Sequence, residues 1–379
     1  MDITEEFDVV IVGGGLAGLT SAIHLAKSGV RVILIEKQQY PFHKVCGEYV
    51  SNEVLTYLNS LGFDPFQFDA KKIERLILST PSGKFIESKL DLGGFGLSRY
   101  TMDNELLKLA LSSGVLWLND QVTEINFNDS FTVKTKNERI LKAKVVLGAF
   151  GKRSNLDIKL NRNFIQKESP FLAVKAHYTG AFPEDLVGLH HFEGGYCGVS
   201  NIEKNKLNIC YIADYRIFKR YKNTDEFEEQ VVRKNVFLKE IFEKSEITFE
   251  KPLAISQISF DQKSVVEHHI LMCGDSAGLI HPLCGNGMGM AIHSAQIASN
   301  LIIQFLSQQI SREKLEETYQ LQWNKAFKSR LQVGRNLAKL FRMNRFSEVS
   351  MSLLKFAPMA LDPIIRLTHG KPIKEFSRS

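Results

Sequence analysis

A glycine-rich turn between two short apolar runs, close to the start of the chain, constrains the fold more than any other feature. The first run, residues 9–12, is short and β-branched, as is typical of a buried parallel strand. The turn fits G-x-G-x-x-G through three glycines, Gly13, Gly15 and Gly18. A helical pattern follows and ends at Ser28-Gly29, and the second run, residues 30–35, is followed by Glu36. This order of elements predicts a βαβ unit of a parallel sheet.

The residue types in this unit suit the binding of a dinucleotide. Gly13 permits a tight turn, Gly15 lets the backbone approach a pyrophosphate, and Gly18 lets the helix pack closely on the strand. The first turn of the helix offers unpaired N–H groups and a positive dipole end to the same pyrophosphate. Glu36 lies 18 positions after Gly18, close to the roughly 20 that this fingerprint requires, and its carboxylate would accept hydrogen bonds from a ribose. The alternative is a glycine turn that binds nothing.

The composition of the chain narrows its class. Its 379 residues leave room for two or three domains, and a net charge of +6 does not favour nucleic acid as a partner. The acidic start lacks the regions of a signal peptide, and no apolar stretch is long enough to span a membrane, so we expect a cytoplasmic protein. The five cysteines form no C-x-x-C pair, and we therefore expect reduced thiols and no metal site.

Patterns along the rest of the chain indicate how it is organised. Strands in hairpin spacing begin at residue 73, residues 145–149 are a further buried strand, and most of 159–262 is β-like apart from one helix that Thr224 is predicted to cap. We predict a dinucleotide-binding domain of residues 1–72, 99–158 and 264–310, a substrate domain of residues 73–98 and 159–263, and a C-terminal helical segment of residues 311–379.

The C-terminal segment has two interpretations. One side of its first helix carries a stripe with helical spacing, made of Leu315, Tyr319, Trp323, Phe327, Leu331, Gly334 and Ala338. Residues 351–367 are very apolar and are interrupted by prolines. A helix pair packed on the domain is the first interpretation. The alternative is peripheral membrane contact through a basic and apolar patch that includes Arg342, Arg345 and Arg366.

Three segments of the sequence together carry a resemblance to a known family. They are the glycine fingerprint with Glu36, the segment RYTMD at 99–103, and CGDSAGLIHPLCGNGMGM at 273–290. They resemble the FAD-dependent monooxygenase superfamily of the p-hydroxybenzoate hydroxylase type, and more closely its geranylgeranyl-reductase-like branch. The resemblance covers nearly all the chain to about residue 306. It implies an α/β fold, with a Rossmann-type (GR2-like) FAD-binding domain, an inserted mixed β-sheet substrate domain and a C-terminal helical tail.

The resemblance also implies how FAD is held. Gly274 and Asp275 would hold the ribityl chain, and the glycines of P-x-x-G-x-G would let a helix N-terminus approach the flavin ring, with Asn286 and Met288 beside it. That dipole would stabilise negative charge at the N1–C2=O region of the flavin. The implied FAD-binding residues are Gly13, Gly15, Leu16, Ala17, Gly18, Glu36, Lys37, Lys44, Cys46, Arg99, Val122, Gly274, Asp275, Pro282, Gly285, Asn286, Gly287 and Met288.

The candidate catalytic residues lie in the segment Cys46-Gly47-Glu48. It resembles the CGE or CGG segment of the reductase branch, in which the cysteine lies near flavin and substrate. The alternative for Cys46 is a small buried thiol, and Glu48 is either a general acid or an ion-pair partner. His177 and His281 are candidates for the substrate cavity, and the alternative for both is a core or surface histidine.

Two departures from the superfamily pattern bear on the reaction. The Asp of the usual Asp-Gly motif, which contacts flavin and NAD(P)H, is Phe150 here, so the usual docking of a nicotinamide donor is in question. Lys152 and Arg153 would attract a phosphate-bearing donor, or they form a solvated basic loop. A W-x-W-x-I-P segment is absent from the sequence, which argues against a flavin halogenase.

Two reactions fit this pattern, and both imply FAD, an apolar isoprenoid, lipid or polyketide-like substrate, and NAD(P)H or another electron donor. In the first, hydride passes from reduced flavin to a carbon–carbon double bond, and an acid near Cys46 supplies a proton. In the second, a flavin C4a-hydroperoxide hydroxylates an aromatic ring. A non-catalytic FAD-binding redox sensor is the alternative of another class. The oligomeric state does not follow from the sequence.

Overall fold

Two β-sheets with helices packed on them form the part of the chain that this computed structural model describes, residues 5–167, 169–341 and 361–377. In chain order the strands are β1 (Glu5–Val12), β2 (Val32–Ile35), β3 (Tyr49–Ser51), β4 (Lys71–Ser79), β5 (Phe85–Gly96), β6 (Leu116–Leu118), β7 (Val122–Asn128), β8 (Ser130–Thr135), β9 (Ile140–Gly148), β10 (Phe171–Gly180), β11 (Leu186–Phe192), β12 (Gly195–Ile202), β13 (Lys206–Asp214), β14 (Ser245–Ile247), β15 (Leu253–Ser256), β16 (Val266–Glu267) and β17 (Ile270–Met272). The α-helices are α1 (Leu16–Lys27), α2 (Leu55–Ser60), α3 (Arg99–Ser112), α4 (Asn155–Lys159), α5 (Tyr215–Phe218), α6 (Thr224–Gln230), α7 (Val236–Glu243), α8 (Gly287–Leu306), α9 (Arg312–Phe341) and α10 (Leu361–Thr368).

The first sheet contains the predicted βαβ unit. Its strand order is β16-β17-β9-β1-β2-β6, and β1 pairs in parallel with both β2 and β9, while β7 and β8 form a hairpin beside β9. Val9, Val10 and Ile11 of β1 are fully buried, as expected of a central parallel strand that is covered on both faces. Helix α1 packs against α3 and α8, and this layer covers one face of the sheet.

The second sheet is mostly antiparallel and forms the floor of the cavity described below. Its order is β14-β10-β13-β12-β11-β4-β5-β3, with β15 also paired to β10, and the pair of β4 and β11 is parallel. Because side chains alternate along a strand, β10 faces two environments. Val174 and Ala176 pack in one apolar cluster with Phe227 and Leu238 of helices α6 and α7. Lys175, between them, is on the other face of the strand and contacts the carbonyl of Lys44 in the loop after β2.

Most predicted elements are present, and two details of the prediction were wrong. The hairpin predicted from residue 73 is the antiparallel pair of β4 and β5. The N-cap of α6 is Asn223, not Thr224, because the side chain of Asn223 accepts a hydrogen bond from the N–H of Glu226. Residues 145–149 are not a separate strand, since β9 continues through the preceding hairpin arm without a break. The α/β fold class is confirmed, and the domain boundaries stay a prediction.

The C-terminal segment packs on the first sheet through the predicted stripe. Leu315, Tyr319, Trp323, Phe327 and Leu331 of α9 are buried. The hydroxyl of Tyr319 donates a hydrogen bond to the carbonyl of Met272 at the end of β17, 2.5 Å away. Two residues of the tail predictions, Arg342 and Arg345, lie outside the residues that the structure describes, and Ala338 belongs to α9 with its side chain outside that description. None of the described helices is long and apolar enough to cross a membrane.

Candidate active site

A cavity of about 1000 Å³ lies between the two sheets. One end is formed by the glycine turn after β1 and by the segment between β17 and α8. The other end is apolar, and its lining includes Leu76, Leu78, Leu90, Val187 and Leu189. The cavity therefore joins the glycine turn to an apolar surface.

The three fingerprint glycines meet different neighbours. A Cβ on Gly13, whose φ is +107°, would lie 2.3 Å from the carbonyl oxygen of Ala149, and a Cβ on Gly18 would lie 2.0 Å from that of Gly13. Both glycines are thus required by contacts within the protein. A Cβ on Gly15 would meet only Nη2 of Arg99, at 3.7 Å, so the space beside Gly15 is open. That open space is what a pyrophosphate against the backbone needs.

Glu36 is fixed at the end of β2, facing the turn. Its Oε2 accepts a hydrogen bond from the N–H of Gly14 at 2.7 Å, and its Oε1 accepts one from the N–H of Gln38 at 2.9 Å. The carboxylate is nearly buried and lines the cavity. Each carboxylate oxygen has a second acceptor position, so the geometry leaves Glu36 able to bind a ribose.

Arg99 and Lys44 form a buried cluster with Asp103 beside the same turn. Nε and Nη2 of Arg99 lie 2.8 Å from Oδ1 and Oδ2 of Asp103, respectively, and Nζ of Lys44 lies 2.8 Å from Oδ2. Burial raises the pKa of Asp103, but the charges of Arg99 and Lys44 outweigh burial and hold that pKa below its usual value. Arg99 is therefore not an exposed loop residue. Asp103 was not predicted as a site residue, although it is the last residue of the segment RYTMD at 99–103.

The segment between β17 and α8 supplies the opposite wall. Gly274 and Gly285 both have φ near +62°, a conformation that favours glycine, and each ends or begins a tight turn. Helix α8 begins at Gly287, and its first turn lines the cavity. Behind this wall, Nζ of Lys263 donates hydrogen bonds to the carbonyls of Lys152 and Asp275, each at 2.8 Å. Burial lowers the pKa of Lys263 to about 8.

Most of the predicted site residues line the cavity. These are Gly13, Gly15, Leu16, Ala17, Glu36, Lys37, Lys44, Cys46, Glu48, Arg99, Gly274, Asp275, Pro282, Gly285, Asn286, Gly287 and Met288. Four are not part of the lining. Gly18 packs behind the turn, Val122 is buried in β7, and His281 lies among the rings of Phe171, Tyr196 and Phe260. The fourth, His177, contacts Glu48, so the geometry favours a core position for both histidines.

The thiol of Cys46 lies where the flavin-type segment meets the loop after β2. Its Sγ is 3.6 Å from Sδ of Met288 in the first turn of α8, and it also interacts with the guanidinium of Arg99. The carbonyl of Cys46 accepts a hydrogen bond from Nδ2 of Asn208, at 3.1 Å. The residue is half-buried and faces the cavity, so it is not an inaccessible core thiol.

Glu48 is an ion-pair partner in this geometry. It is fully buried, and its oxygens accept hydrogen bonds from Nζ of Lys175 at 2.5 Å, Nε2 of His177 at 2.7 Å and the N–H of Arg99 at 2.7 Å. Burial raises the pKa of Glu48, but the charge of Lys175 and the hydrogen bond from His177 lower it more, and the net shift is downward. A carboxyl group held ionised cannot serve as a general acid at neutral pH. The sequence reasoning missed Lys175, whose signal was a lysine inside an otherwise apolar strand.

The residues present fit FAD. The open space beside Gly15, the start of α1, the carboxylate of Glu36 and the start of α8 all face one cavity. At the position of the missing Asp, the side chain of Phe150 lines the cavity. Lys152 lines it too, and Nζ lies 3.5 Å from the carbonyl of Val45, whereas Arg153 is exposed. Within residues 5–167, 169–341 and 361–377, the structure has no cluster of His, Cys, Asp or Glu that could hold a metal ion.

Comparisons with known proteins find similar sequences and similar folds. The family model described as FAD dependent oxidoreductase matches residues 8–44. The chain is 25% identical to digeranylgeranylglycerophospholipid reductase 1 of Methanopyrus kandleri over 88% of this chain and 90% of that protein. Its fold is similar to that of a geranylgeranyl bacteriochlorophyll reductase-like protein of Thermoplasma acidophilum, with a TM-score of 0.73 and 18% identity over 97% and 93% of the two chains. It is also similar to that of the flavin-dependent brominase Bmp2, with a TM-score of 0.78 and 19% identity over 96% and 93%.

Several relatives that share sequence along most of the chain are named digeranylgeranylglycerophospholipid reductases, and one is named conditioned medium factor receptor 1 of Dictyostelium discoideum. The solved structures of similar fold include a reductase-like protein and a brominase. The resemblance predicted from the three sequence segments is therefore confirmed: the chain is similar to FAD-dependent oxidoreductases and, along most of its length, to geranylgeranyl-reductase-like proteins.

Proposed function

We propose that this protein reduces a carbon–carbon double bond in an apolar, isoprenoid-like lipid by hydride transfer from reduced FAD. The observation that carries the proposal is the continuity of the cavity, in which the dinucleotide-binding end opens directly onto an apolar end. An apolar wall favours an apolar chain because burial removes its surface from water. The names of the reductase relatives support the same substrate class.

Each part of the cavity has a task in this proposal. When bound, the flavin would supply the hydride. The start of α8 at Gly287 would face the negative charge of the reduced ring with its positive dipole end. Gly274 and Asp275 would bind the ribityl chain, and Glu36 a ribose. The apolar lining would limit the access of water to the reacting double bond.

The thiol of Cys46 is the group that we assign to proton supply. Adding hydrogen to a double bond takes a proton as well as a hydride, and Glu48 cannot provide it because it is held ionised. Cys46 has a thiol that faces the cavity and lies beside the start of α8. After transfer, the thiolate would take its proton back from water.

The electron donor is proposed to be NAD(P)H or another reductant. Phe150 leaves no carboxylate at the position that usually takes part in nicotinamide docking. Lys152, which lines the cavity, is the cation we assign to a phosphate of the donor. Comparing NADPH with NADH as reductants of the wild-type flavin and of Lys152→Gln would test this. An equal rate in both proteins would contradict it.

The experiment for the main proposal is anaerobic stopped-flow absorbance of the holoprotein. The flavin is reduced, and the protein is then mixed with a polyprenyl alcohol or, separately, with air-saturated buffer and a phenol. We expect the alkene to reoxidise the flavin without oxygen, and Cys46→Ser to slow this step. No reoxidation by alkenes, together with oxygen-dependent hydroxylation of the phenol, would favour the second reaction, aromatic hydroxylation.

Peripheral membrane contact through the C-terminal tail is a further part of the proposal. Arg366, one of its three arginines, pairs with Asp91 at the surface, and residues 342–360 are outside the described range. Flotation with anionic liposomes would compare the full chain with a chain that ends at residue 343. Equal binding of the two would contradict a contact through the tail.

A further inference from the structure

Lys175, Glu48 and His177 form a buried charged cluster that crosses from the second sheet to the loop after β2. The exposed fractions of the three side chains are 0%, 0% and 2%. Lys175 and His177 are two positions apart on β10 and therefore lie on the same face of the strand, while Glu48 lies on the loop. In the part of the chain that the structure describes, no exposed carboxylate contacts this cluster. Neither Lys175 nor His177 lines the cavity.

This cluster holds the loop of residues 44–48 on both sides of Cys46. Before the thiol, the carbonyl of Lys44 accepts a hydrogen bond from Nζ of Lys175 at 3.2 Å. After the thiol, the same Nζ contacts the side-chain carboxylate of Glu48. The backbone carbonyl of Glu48 also accepts a hydrogen bond from the N–H of Leu97, at 3.2 Å. A single ammonium group thus bonds to two points of the loop that flank Cys46.

The backbone at Glu48 needs such support. Its φ is +55°, in the left-handed region that residues other than glycine rarely adopt. A conformation of this kind persists only where the surroundings hold it. A buried ion pair is also a poor source of net stability, because desolvation of both charges offsets their attraction. A role in positioning the loop explains why the left-handed backbone at Glu48 and the buried ion pair with Lys175 occur together.

We propose that Lys175 is a positioning residue that fixes the loop of residues 44–48 and thereby holds the Cys46 thiol at the cavity wall beside the start of α8. It acts through Glu48 and the Lys44 carbonyl and touches neither substrate nor flavin. Asn208 assists it from the next strand by holding the carbonyl of Cys46. The value of this position for catalysis rests on the proposed reductase function, but the position itself does not.

Cysteine alkylation of the holoprotein tests the position directly. The rate at which N-ethylmaleimide modifies Cys46, which is half-buried and lines the cavity, is followed by peptide mass mapping, and the rate in the wild-type holoprotein is the reference. We expect Lys175→Met to raise the Cys46 rate severalfold over wild type, because the freed loop opens more often. Lys175→Arg, which keeps a charged donor, restores most of the wild-type rate. Lys71→Met, which removes an exposed ion pair of the same sheet, leaves it unchanged.

A kinetic measurement separates positioning from general damage. In anaerobic reoxidation by a polyprenyl alcohol, Lys175→Met should lower the limiting rate about tenfold or more, since a small misplacement has this effect, and should leave the half-saturating concentration nearly unchanged. If wild-type protein is not reoxidised by any alkene, the proposed function fails, while the alkylation rates still decide the inference.

A folded, yellow Lys175→Met protein with the wild-type Cys46 alkylation rate would overturn the inference. If that variant does not fold, Asn208→Ala decides instead, because it removes a hydrogen bond to the loop without leaving a charge unpaired. We expect it to raise the Cys46 rate in the same direction. An unchanged rate in Asn208→Ala would then overturn the inference.

Discussion

Gly15 and Gly18 lie three residues apart in one turn, yet their substitution should have different consequences. Gly18 faces the carbonyl of Gly13, so a methyl group there pushes α1 away from β1. Gly15 faces open space, and a methyl group there occupies only the place of the pyrophosphate. We expect Gly15→Ala to leave the melting temperature of the apoprotein unchanged and to weaken FAD binding about tenfold or more. Flavin fluorescence titration measures the affinity.

Gly18→Ala is the matched comparison, and it should lower the melting temperature of the apoprotein itself. Equal effects of the two substitutions on apoprotein stability would contradict the assignment of Gly15 to cofactor approach.

Glu228 gives a residue-scale prediction that does not depend on the cofactor. It is buried on α6, where burial raises its pKa to about 7, and the hydroxyl of Tyr211, 3.1 Å away, only partly opposes this. Between its ordinary value of 4.5 and about 7, the unfolded chain releases a proton that the folded chain keeps, so stability falls as pH rises through this window. Glu228→Gln removes this loss and should gain about 3 kcal/mol over wild type between pH 4 and pH 8.

Urea unfolding at the two pH values measures the gain. Glu229→Gln, on the next residue of the same helix but exposed, serves as the control and should show no such pH dependence. A stability difference between Glu228→Gln and wild type that is constant with pH would show that Glu228 titrates normally.

At the scale of elements, α9 supports the flavin-type segment from behind. The ring of Trp323 lies against Gly278, where a Cβ would be only 2.8 Å from Cη2, and Trp323 is 4% exposed. Trp323→Ala should lower the free energy of unfolding by about 3–5 kcal/mol, since it empties a large packed site. Leu321→Ala on the same helix, where the side chain is 69% exposed, should change it by less than about 0.5 kcal/mol.

Urea denaturation followed by circular dichroism measures both variants. If Trp323→Ala and Leu321→Ala had similar small effects, α9 would not contribute to the core through its stripe.

At the scale of the whole molecule, the sequence predicted the elements that are determined by residues close together along the chain. The βαβ unit, the hairpin of β4 and β5 and the start of α8 each follow from patterns within about thirty residues. The cap of α6 was misplaced by one residue because Asn223 and Thr224 are both good cap residues. The cavity also required the two sheets to be brought together, which no local pattern indicates.

Ion pairs that cross the molecule could not be predicted in this way. Lys175 and Glu48 are 127 positions apart, and Arg330 and Glu53 are 277 positions apart. A buried lysine or glutamate is visible in sequence only as an exception within an apolar pattern, and the pattern does not name its partner. For the same reason Glu48 could not be told from a general acid until its three donors were known.

Glu53 joins the C-terminal strap, residues 361–377, to the flavin-type segment. Its buried carboxylate contacts Nη1 of Arg330 at 3.2 Å and accepts hydrogen bonds from the N–H of Gly370 and, at 3.4 Å, from Nδ2 of Asn286. The same Nδ2 lies 2.9 Å from the carbonyl of Thr368, which lines the cavity. The strap is thereby tied to the residue that precedes α8.

Removing the Arg330 charge should loosen the connection between the strap and the flavin-type segment, and the effect should be measurable at both. Arg330→Met leaves a buried carboxylate without its cation, and we expect about 2–3 kcal/mol of destabilisation. Tryptic cleavage after Lys371 and Lys374 should quicken, and FAD should dissociate faster because Asn286 loses a fixed neighbour. Arg335→Met is the control, since Arg335 bonds to Gln332 on its own helix. If cleavage quickened while FAD release stayed at the wild-type rate, the strap would be held by Glu53 without any connection to the cofactor site. If both rates stayed at the wild-type values, the hydrogen bonds that Glu53 accepts from backbone N–H groups of the strap would be enough to hold the strap.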